Sequence, residues 1–376
     1  MFRRKKVKKI LLRGYYGYKN SGDDALFYSI VQKITERENV EINVLSRSCL
    51  HYPESVENIN FKKPTNTNIL MGILKNNILI FGGGSQLQDY GKKKMILGLF
   101  KTYCIVSLSK LLRKKVIYLG ISIGPLETSL GKKISKEILK KSDYIAVRDK
   151  SSFKFLENNK ISNDKICLLP DLAISLIDNI NIRKEKNSSE IILGINLLPF
   201  MSVIRNNLNK EKEIIKIISF SINKLMEKNK SMQVRLYSFQ EDEFINDFYI
   251  LQELANNIKG NVEIIRYQSN PVKVLEGLSE CNRFIGMRLH SSIFAYSCEI
   301  PQIILSYHPK CEGFAKSVGY NENQIIDINS LSEDKLLSKM NDLIENPLLY
   351  KPESSPIGKK EEVDSLYEML AMNYFN

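Results

Sequence analysis

Short apolar runs alternate along the whole chain with longer stretches in which apolar residues recur every three or four positions. Strand-like runs stand at 7–12, 41–45, 77–81, 116–119, 144–147 and 166–169, and helical periodicity at 25–37, 94–112 and 150–157. Residues 178–189, DNINIRKEKNSS, are polar without periodicity and read as a linker. A second series follows, with strands at 191–196, 233–237, 262–267, 283–285, 302–305 and 325–328. Its helices fall at 210–228, 241–257, 271–281, 291–298 and 311–318. In the first of these Ile214, Ile218, Ile222 and Leu225 share one face. Helical stretches at 333–345 and 361–372, separated by PESSPIG, close the chain. The alternation predicts an α/β protein whose mostly parallel sheets are covered by helices. It divides into two Rossmann-like domains, 1–180 and 190–350, with 351–376 a terminal linker and helix. Two such halves facing each other would hold a ligand in a cleft at the carboxyl ends of their strands.

A chain of 376 residues is long enough for two cores of this kind. The most apolar helix, LGLFKTYCIVSLSKLL at 97–112, is broken by Lys101 and Lys110 and is expected as a buried helix, not a membrane span. The N-terminal MFRRKKVKKILLRG is basic, but its apolar stretch is too short for a secretory signal, which points to the cytoplasm. Cys49, Cys104, Cys167, Cys281, Cys298 and Cys311 are scattered without a C-x-x-C pair and are expected as free thiols. With three histidines and no paired cysteines, no metal site is expected. The net charge of +13 is mostly lysine, with acidic residues interspersed after the first dozen positions. No nucleic-acid partner is therefore expected; an anionic substrate or an anionic membrane surface accounts for the charge as well.

The chemistry is expected at the strand ends. After the first strand comes GYYGYKNSGDDALF, in which Asn20, Ser21 and Asp23 can cap the next helix. The adjacent carboxylates of Asp23 and Asp24, with tyrosines including Tyr16, also suit a sugar, whose CH faces stack and whose hydroxyls donate. After the third strand, GGGSQLQD at 82–89 either lets backbone amides approach an anion or serves close strand–helix packing. It is neither a dinucleotide fingerprint nor a P-loop. Arg148 ends a further strand in VRD and reads either as a partner of Asp149 or a solvent-facing residue, or as a functional group. In GMRLHSSIFA, Arg288 and His290 flank Leu289 at a strand-to-helix junction, where helix N–H groups add positive potential. His290 reads there either as a helix cap or as a functional group. Tyr307-His308-Pro309-Lys310 follows the next strand. Two arginines, two histidines and a lysine suit a small, multiply charged anion, since guanidinium meets carboxylate and phosphate bidentately.

Together, GYYGYKNSGDD, GGGSQLQD, GISIGP, VRDKSS, PDLA and GMRLHSSIFA with YHPK resemble the polysaccharide pyruvyl transferase family, most closely its CsaB-like cell-wall branch. The resemblance runs in family order over most of the chain. It implies a GT-B-like fold and transfer of the pyruvyl group of phosphoenolpyruvate to a sugar as a cyclic ketal, with release of phosphate. It implies phosphoenolpyruvate as co-substrate and no further cofactor, and an N-acetylmannosamine acceptor on a lipid diphosphate, which would bring the basic N-terminus to the inner face of the membrane. Arg148, Arg288 and His290 would then bind the donor, with Leu289, His308 and Lys310 beside them. Tyr16, Asn20, Asp23, Asp24, Gly83, Gly84 and Gln86 would form the acceptor side. Asp24 departs from the glutamate more usual at that position. In this scheme His290 handles a proton, Arg148 and Arg288 hold carboxylate and phosphate, and Asp23 or Asp24 orients or deprotonates the acceptor. The alternatives are a GT-B glycosyltransferase using a nucleotide sugar and a non-catalytic carbohydrate-binding protein on the same fold. The oligomeric state is open.

Overall fold

The structure, a computed structural model, describes residues 7–180 and 190–375. The N-terminal six residues of the basic segment and most of the expected linker, 181–189, lie outside the described residues. Two compact units account for the rest.

The first unit contains β1 (Lys8–Arg13), α1 (Ser21–Thr35), β2 (Val40–Leu45), β3 (Ile59–Lys62), α2 (Asn66–Lys75), β4 (Ile78–Leu87) and α3 (Lys93–Leu111). It continues with β5 (Lys115–Ile123), α4 (Ser129–Lys141), β6 (Tyr144–Val147), α5 (Lys150–Asn158) and β7 (Ile166–Leu168). Its strands form one parallel sheet in the order β3-β2-β1-β4-β5-β6-β7. Parallel strands covered on both faces need apolar residues at successive positions, and Ile10, Leu11 and Leu12 of β1 and Ile78 to Phe81 of β4 are all buried. Three elements escaped the sequence pattern: β3, α2 and α4. The buried face of α4 includes Gly131 and Ser135, which no hydrophobic period registers.

The second unit contains β8 (Ile192–Asn196), α6 (Leu208–Lys228), β9 (Gln233–Tyr237), α7 (Asp247–Asn256), β10 (Val262–Ile265), α8 (Pro271–Ser279) and β11 (Arg283–Gly286). Then come α9 (Leu289–Ser297), β12 (Gln302–Ser306), α10 (Pro309–Ser317), β13 (Ile325–Asp327) and α11 (Glu333–Glu345); the last helix, α12 (Pro356–Leu370), passes to the first unit from Lys360. The parallel sheet runs β10-β9-β8-β11-β12-β13. In α6, Ile214, Ile218, Ile222 and Leu225 are buried in the core of this unit. The helix expected from 241 begins only at Asp247, because Asp242 accepts the amides of Phe244 and Ile245 and closes a turn before it.

Two segments group differently from the simple division at the linker. Residues Tyr18–Gly22 cluster with the second unit, and Lys360–Asn376 with the first. The latter is held by an ion pair of the buried Lys33 ammonium to Asp364 at 2.8 Å and by Tyr374 Oη donating to the carbonyl of Asp143 at 3.2 Å.

Candidate active site

In a doubly wound sheet, the loops after the two strands where the order reverses stand at the carboxyl edge and form the usual ligand site. The reversal lies between β1 and β4 in the first unit and between β8 and β11 in the second. The segment beginning at Gly14 follows β1, GGGSQLQD is the end of β4, RLH follows β11, and YHPK follows β12.

In the second unit, Arg288 is the residue before α9, and its amide donates to Asn196 Oδ1 at the end of β8 (3.0 Å). Its guanidinium is gripped side-on by Asp247, with Nε on Oδ2 and Nη2 on Oδ1, both at 2.6 Å. Asp247 is wholly buried and also accepts the amides of Phe239 and Gln240. Burial raises the Asp247 carboxyl above its ordinary range, against the pull of Arg288 and the two amides. The Arg288 side chain keeps 12 % exposure, with the Nη1 side of its planar fork turned away from Asp247. Leu289 and His290 open α9, both partly exposed, and Arg288, not His290, holds the cap position.

The segment Tyr18–Gly22 packs beside this turn. Ser21 N donates to the carbonyl of Phe239 at 2.8 Å, and Asn20 Nδ2 donates to Gln240 Oε1 at 3.1 Å. Asn20 Oδ1 accepts Gly22 N at 3.0 Å, which makes it the cap of α1. Gly22 lies against the imidazole of His290: an added Cβ would stand 2.8 Å from Cε1 and closer still to Nδ1 and Cγ. One strand over, His308 caps α10, its Nδ1 accepting the amide of Lys310 at 3.2 Å. Burial, with Lys310 and Arg205 nearby, lowers its pKa to about 4. The ring is therefore neutral near pH 7, with its proton on Nε2.

In the first unit, several expected site residues have structural work. Tyr16 is buried, stacks edge-on with Phe27 and donates its hydroxyl to the carbonyl of Gly82 at 2.8 Å. Asp24 is also buried. Both are corrected from acceptor contacts to parts of the core, because the packing of α1 on β4 encloses them. The triple glycine is a strand, not a loop: Gly82 and Gly84 pair with Leu119 and Ile121 of β5. A Cβ on Gly82 would meet Tyr16 Oη at 2.5 Å, and one on Gly83 would meet Leu26 at 2.7 Å, so close packing is what these two glycines provide. Gly84, at φ +72°, faces Asp23 Oδ1, 3.3 Å from where a Cβ would stand, and Asp23 is partly exposed. Gln86 donates to the carbonyl of Gly83 at 2.7 Å. The Arg148 side chain is 6 % exposed, with Nη1 on Asp171 Oδ2 at 2.6 Å and Nε on Ser122 Oγ at 3.0 Å, an ion pair within the first unit.

Each unit thus sets an arginine just past a strand of its sheet and gives it a buried aspartate. Asp171 stands in the quoted PDLA motif, but neither it nor Asp247 carried a role in the sequence reading. Asp89, the last residue of GGGSQLQD, is a third such residue. It is buried and accepts the amides of Gly91, Glu127 and Thr128 and the hydroxyl of Thr128. Against its burial, these bonds hold its pKa at about 2. No group of three or more His, Cys, Asp or Glu is placed to hold a metal ion among the described residues.

Known proteins bear on this geometry. Among solved structures, the UDP-GlcNAc 2-epimerase of Methanocaldococcus jannaschii shares the fold, with TM-score 0.65 at 12% identity over 98% of this chain and 100% of that one. That of Neisseria meningitidis, bound to UDP-GlcNAc, gives 0.62 at 13% identity over 97% of this chain and 100% of that one. A curated relative, the amylovoran biosynthesis protein AmsJ of Erwinia amylovora, is 21% identical over 384 residues, covering 90% of this chain and 92% of AmsJ. The family model for polysaccharide pyruvyl transferase matches residues 20–309, from the Asn20 cap to the first residue of α10. With the RLH turn, its buried aspartate and the cap residue His308 all inside that span, the chain belongs to the polysaccharide pyruvyl transferase family.

Proposed function

We propose that this transferase moves the pyruvyl group of phosphoenolpyruvate onto a sugar of a polysaccharide precursor, closing a cyclic ketal and releasing phosphate. The observation that carries the reading is the RLH turn: a guanidinium locked by a buried carboxylate next to an imidazole at a helix start. A bidentate brace from Asp247 fixes the Arg288 guanidinium before any ligand arrives, and a guanidinium is the group suited to a carboxylate or phosphate. The helix amides and Lys310 add positive potential. His308, neutral and with Nε2–H as donor, suits a hydrogen bond to the donor better than the delivery of a proton. His290 is the residue for proton transfer.

In this scheme a proton reaches the methylene carbon of phosphoenolpyruvate, and positive charge develops at C2. One sugar hydroxyl bonds to C2, the C2–O bond to phosphate breaks, and a second hydroxyl closes the ketal. Of the two hydroxyl protons lost, one balances the proton gained by carbon and the other leaves with phosphate. Asp23, the residue after Gly22, serves the acceptor. Arg148 supports the first sheet instead of binding the donor. A lipid diphosphate carrier for the acceptor, and N-acetylmannosamine as its sugar, belong to the same proposal.

Calorimetric titration with phosphoenolpyruvate, UDP and GDP, using wild type and Arg288→Ala, tests the donor. Binding of phosphoenolpyruvate that is lost in the variant supports the reading. Binding of a nucleotide in its place would transfer the protein to nucleotide-sugar chemistry. Phosphate release dependent on added precursor then separates an enzyme from a binding protein.

A further inference from the structure

The helix expected to be buried is buried on one face only, through Leu99, Ile105 and Val106. In α3, Leu97 is 68 % exposed and Phe100 53 %, and across from them Leu130 at the start of α4 is 55 % exposed. With Ile96, Tyr103 and Ile134 these side chains line a groove of about 600 Å³ between α3 and α4, and Lys93, Lys133 and Glu137 stand in its wall. Residues 93, 96, 97, 100 and 103 repeat at helical spacing, so the stripe is one face of α3. Four lysines in α3 (93, 94, 101, 110) and five in α4 (132, 133, 136, 140, 141) make nine, against one acid, Glu137. The net charge of +8 on these two helices is more than half of the +13 of the whole chain.

A protein-binding surface has no general need for such an excess of one sign, whereas exposed Leu and Phe ringed by lysine match the acyl boundary and phosphates of an anionic bilayer. We propose that the α3–α4 face is a membrane-docking surface for anionic lipid. No helix among the described residues is long and apolar enough to cross a membrane, so the contact is interfacial. The exposed leucines and phenylalanine lie in the first halves of helices that follow β4 and β5, toward the carboxyl edge of the first sheet where Gly84 and Asp23 stand. Asp89 ties this arrangement together: it joins the end of β4 to the cap residue of α4, Thr128. If the acceptor is lipid-carried, as proposed above, this face brings the acceptor side to it; the docking itself requires no substrate.

Full-length protein is sedimented with vesicles of phosphatidylcholine alone or with about 30 mole per cent phosphatidylglycerol, across a salt series. Wild type is expected on the anionic vesicles at low salt. Leu97→Glu with Phe100→Glu, and separately Lys93→Glu with Lys133→Glu, are expected to lower the partition at least about ten-fold, each lysine being worth roughly five-fold near the surface. Near-UV circular dichroism and the unfolding midpoint check that the variants fold. Failure of wild type to sediment, equal binding to neutral vesicles, or unchanged binding by both folded variants overturns the proposal. A wild-type dimer by analytical ultracentrifugation that becomes a monomer in the Leu97→Glu, Phe100→Glu variant also overturns it and makes the face a self-interface. Because no substrate enters, this result stands apart from the calorimetry on the donor.

Discussion

Replacing Gly22 with alanine adds one methyl group against the imidazole of His290. The glycine is pinned on its N-terminal side, by Asn20 Oδ1 on its own amide and by the carbonyl of Phe239 on the amide of Ser21. Its backbone is already helical in α1, so alanine fits the chain and favours the helix by about 0.5–1 kcal/mol. The new Cβ, 2.8 Å from Cε1 and nearer to two other ring atoms, forces the ring to move by about 1 Å to reach ordinary contact. A displacement of about 1 Å of a reacting group costs on the order of 100-fold, or about 2.7 kcal/mol in the barrier. Gly22→Ala should therefore keep its thermal midpoint and lose about 100-fold (order of magnitude) in kcat/KM. The assay is phosphate release from phosphoenolpyruvate with an oligosaccharide-precursor extract as acceptor. The decisive comparison is a double-mutant cycle with His290→Ala. In that background Gly22→Ala should cost nothing, since the ring it displaces is gone. An undiminished cost there, or wild-type activity in Gly22→Ala alone, would refute the assignment of His290.

The paired arginines separate by function. Asp247→Asn leaves the Arg288 charge without its buried partner; a loss of roughly 3 kcal/mol in denaturant unfolding is expected, together with weaker binding of phosphoenolpyruvate by calorimetry. Asp171→Asn should cost similar stability through Arg148 and leave phosphoenolpyruvate affinity unchanged; a lost affinity in the folded variant would return Arg148 to the donor site. Asp89, held at about 2 against an ordinary 3.8, stabilises the fold by on the order of 2 kcal/mol above pH 4, and this is lost as pH falls toward 2. Asp89→Asn should therefore be less stable by about that amount at pH 7, with the gap to wild type narrowing as pH falls from about 4 to about 2 in urea unfolding. His308, lowered from 6.5 to about 4, is a histidine kept neutral: its contribution is full above pH 6.5 and declines as pH falls to about 4. His308→Asn, which can still cap α10, should flatten the stability profile in that window; an unchanged profile would assign it elsewhere.

The fold was written in the chain because its signals are local. Short continuous apolar runs, as in β1 (Ile10 to Leu12) and β4 (Ile78 to Phe81), and a 3.6-residue period, as in α6, each report a nearby environment. Elements without such a signal were missed: four-residue β3, and α4, whose buried face relies on glycine and serine beneath a coat of lysine. Of the site, the sequence located the RLH turn and the YHPK cap, because glycine, proline and charged residues mark strand ends.

Which carboxylate neutralises each arginine was decided only by tertiary structure. Asp247 reaches Arg288 across 41 residues and Asp171 reaches Arg148 across 23, distances over which no periodic pattern carries information. Burial likewise turned Tyr16 and Asp24 from apparent sugar contacts into core residues, since a side chain's exposure depends on what packs over it and not on its neighbours in the chain. The same cause ran the other way in α3. Its apolar run foretold a buried helix, but a helix has more than one apolar face to cover, and the packing of α3 with α4 on the sheet left Leu97 and Phe100 in water.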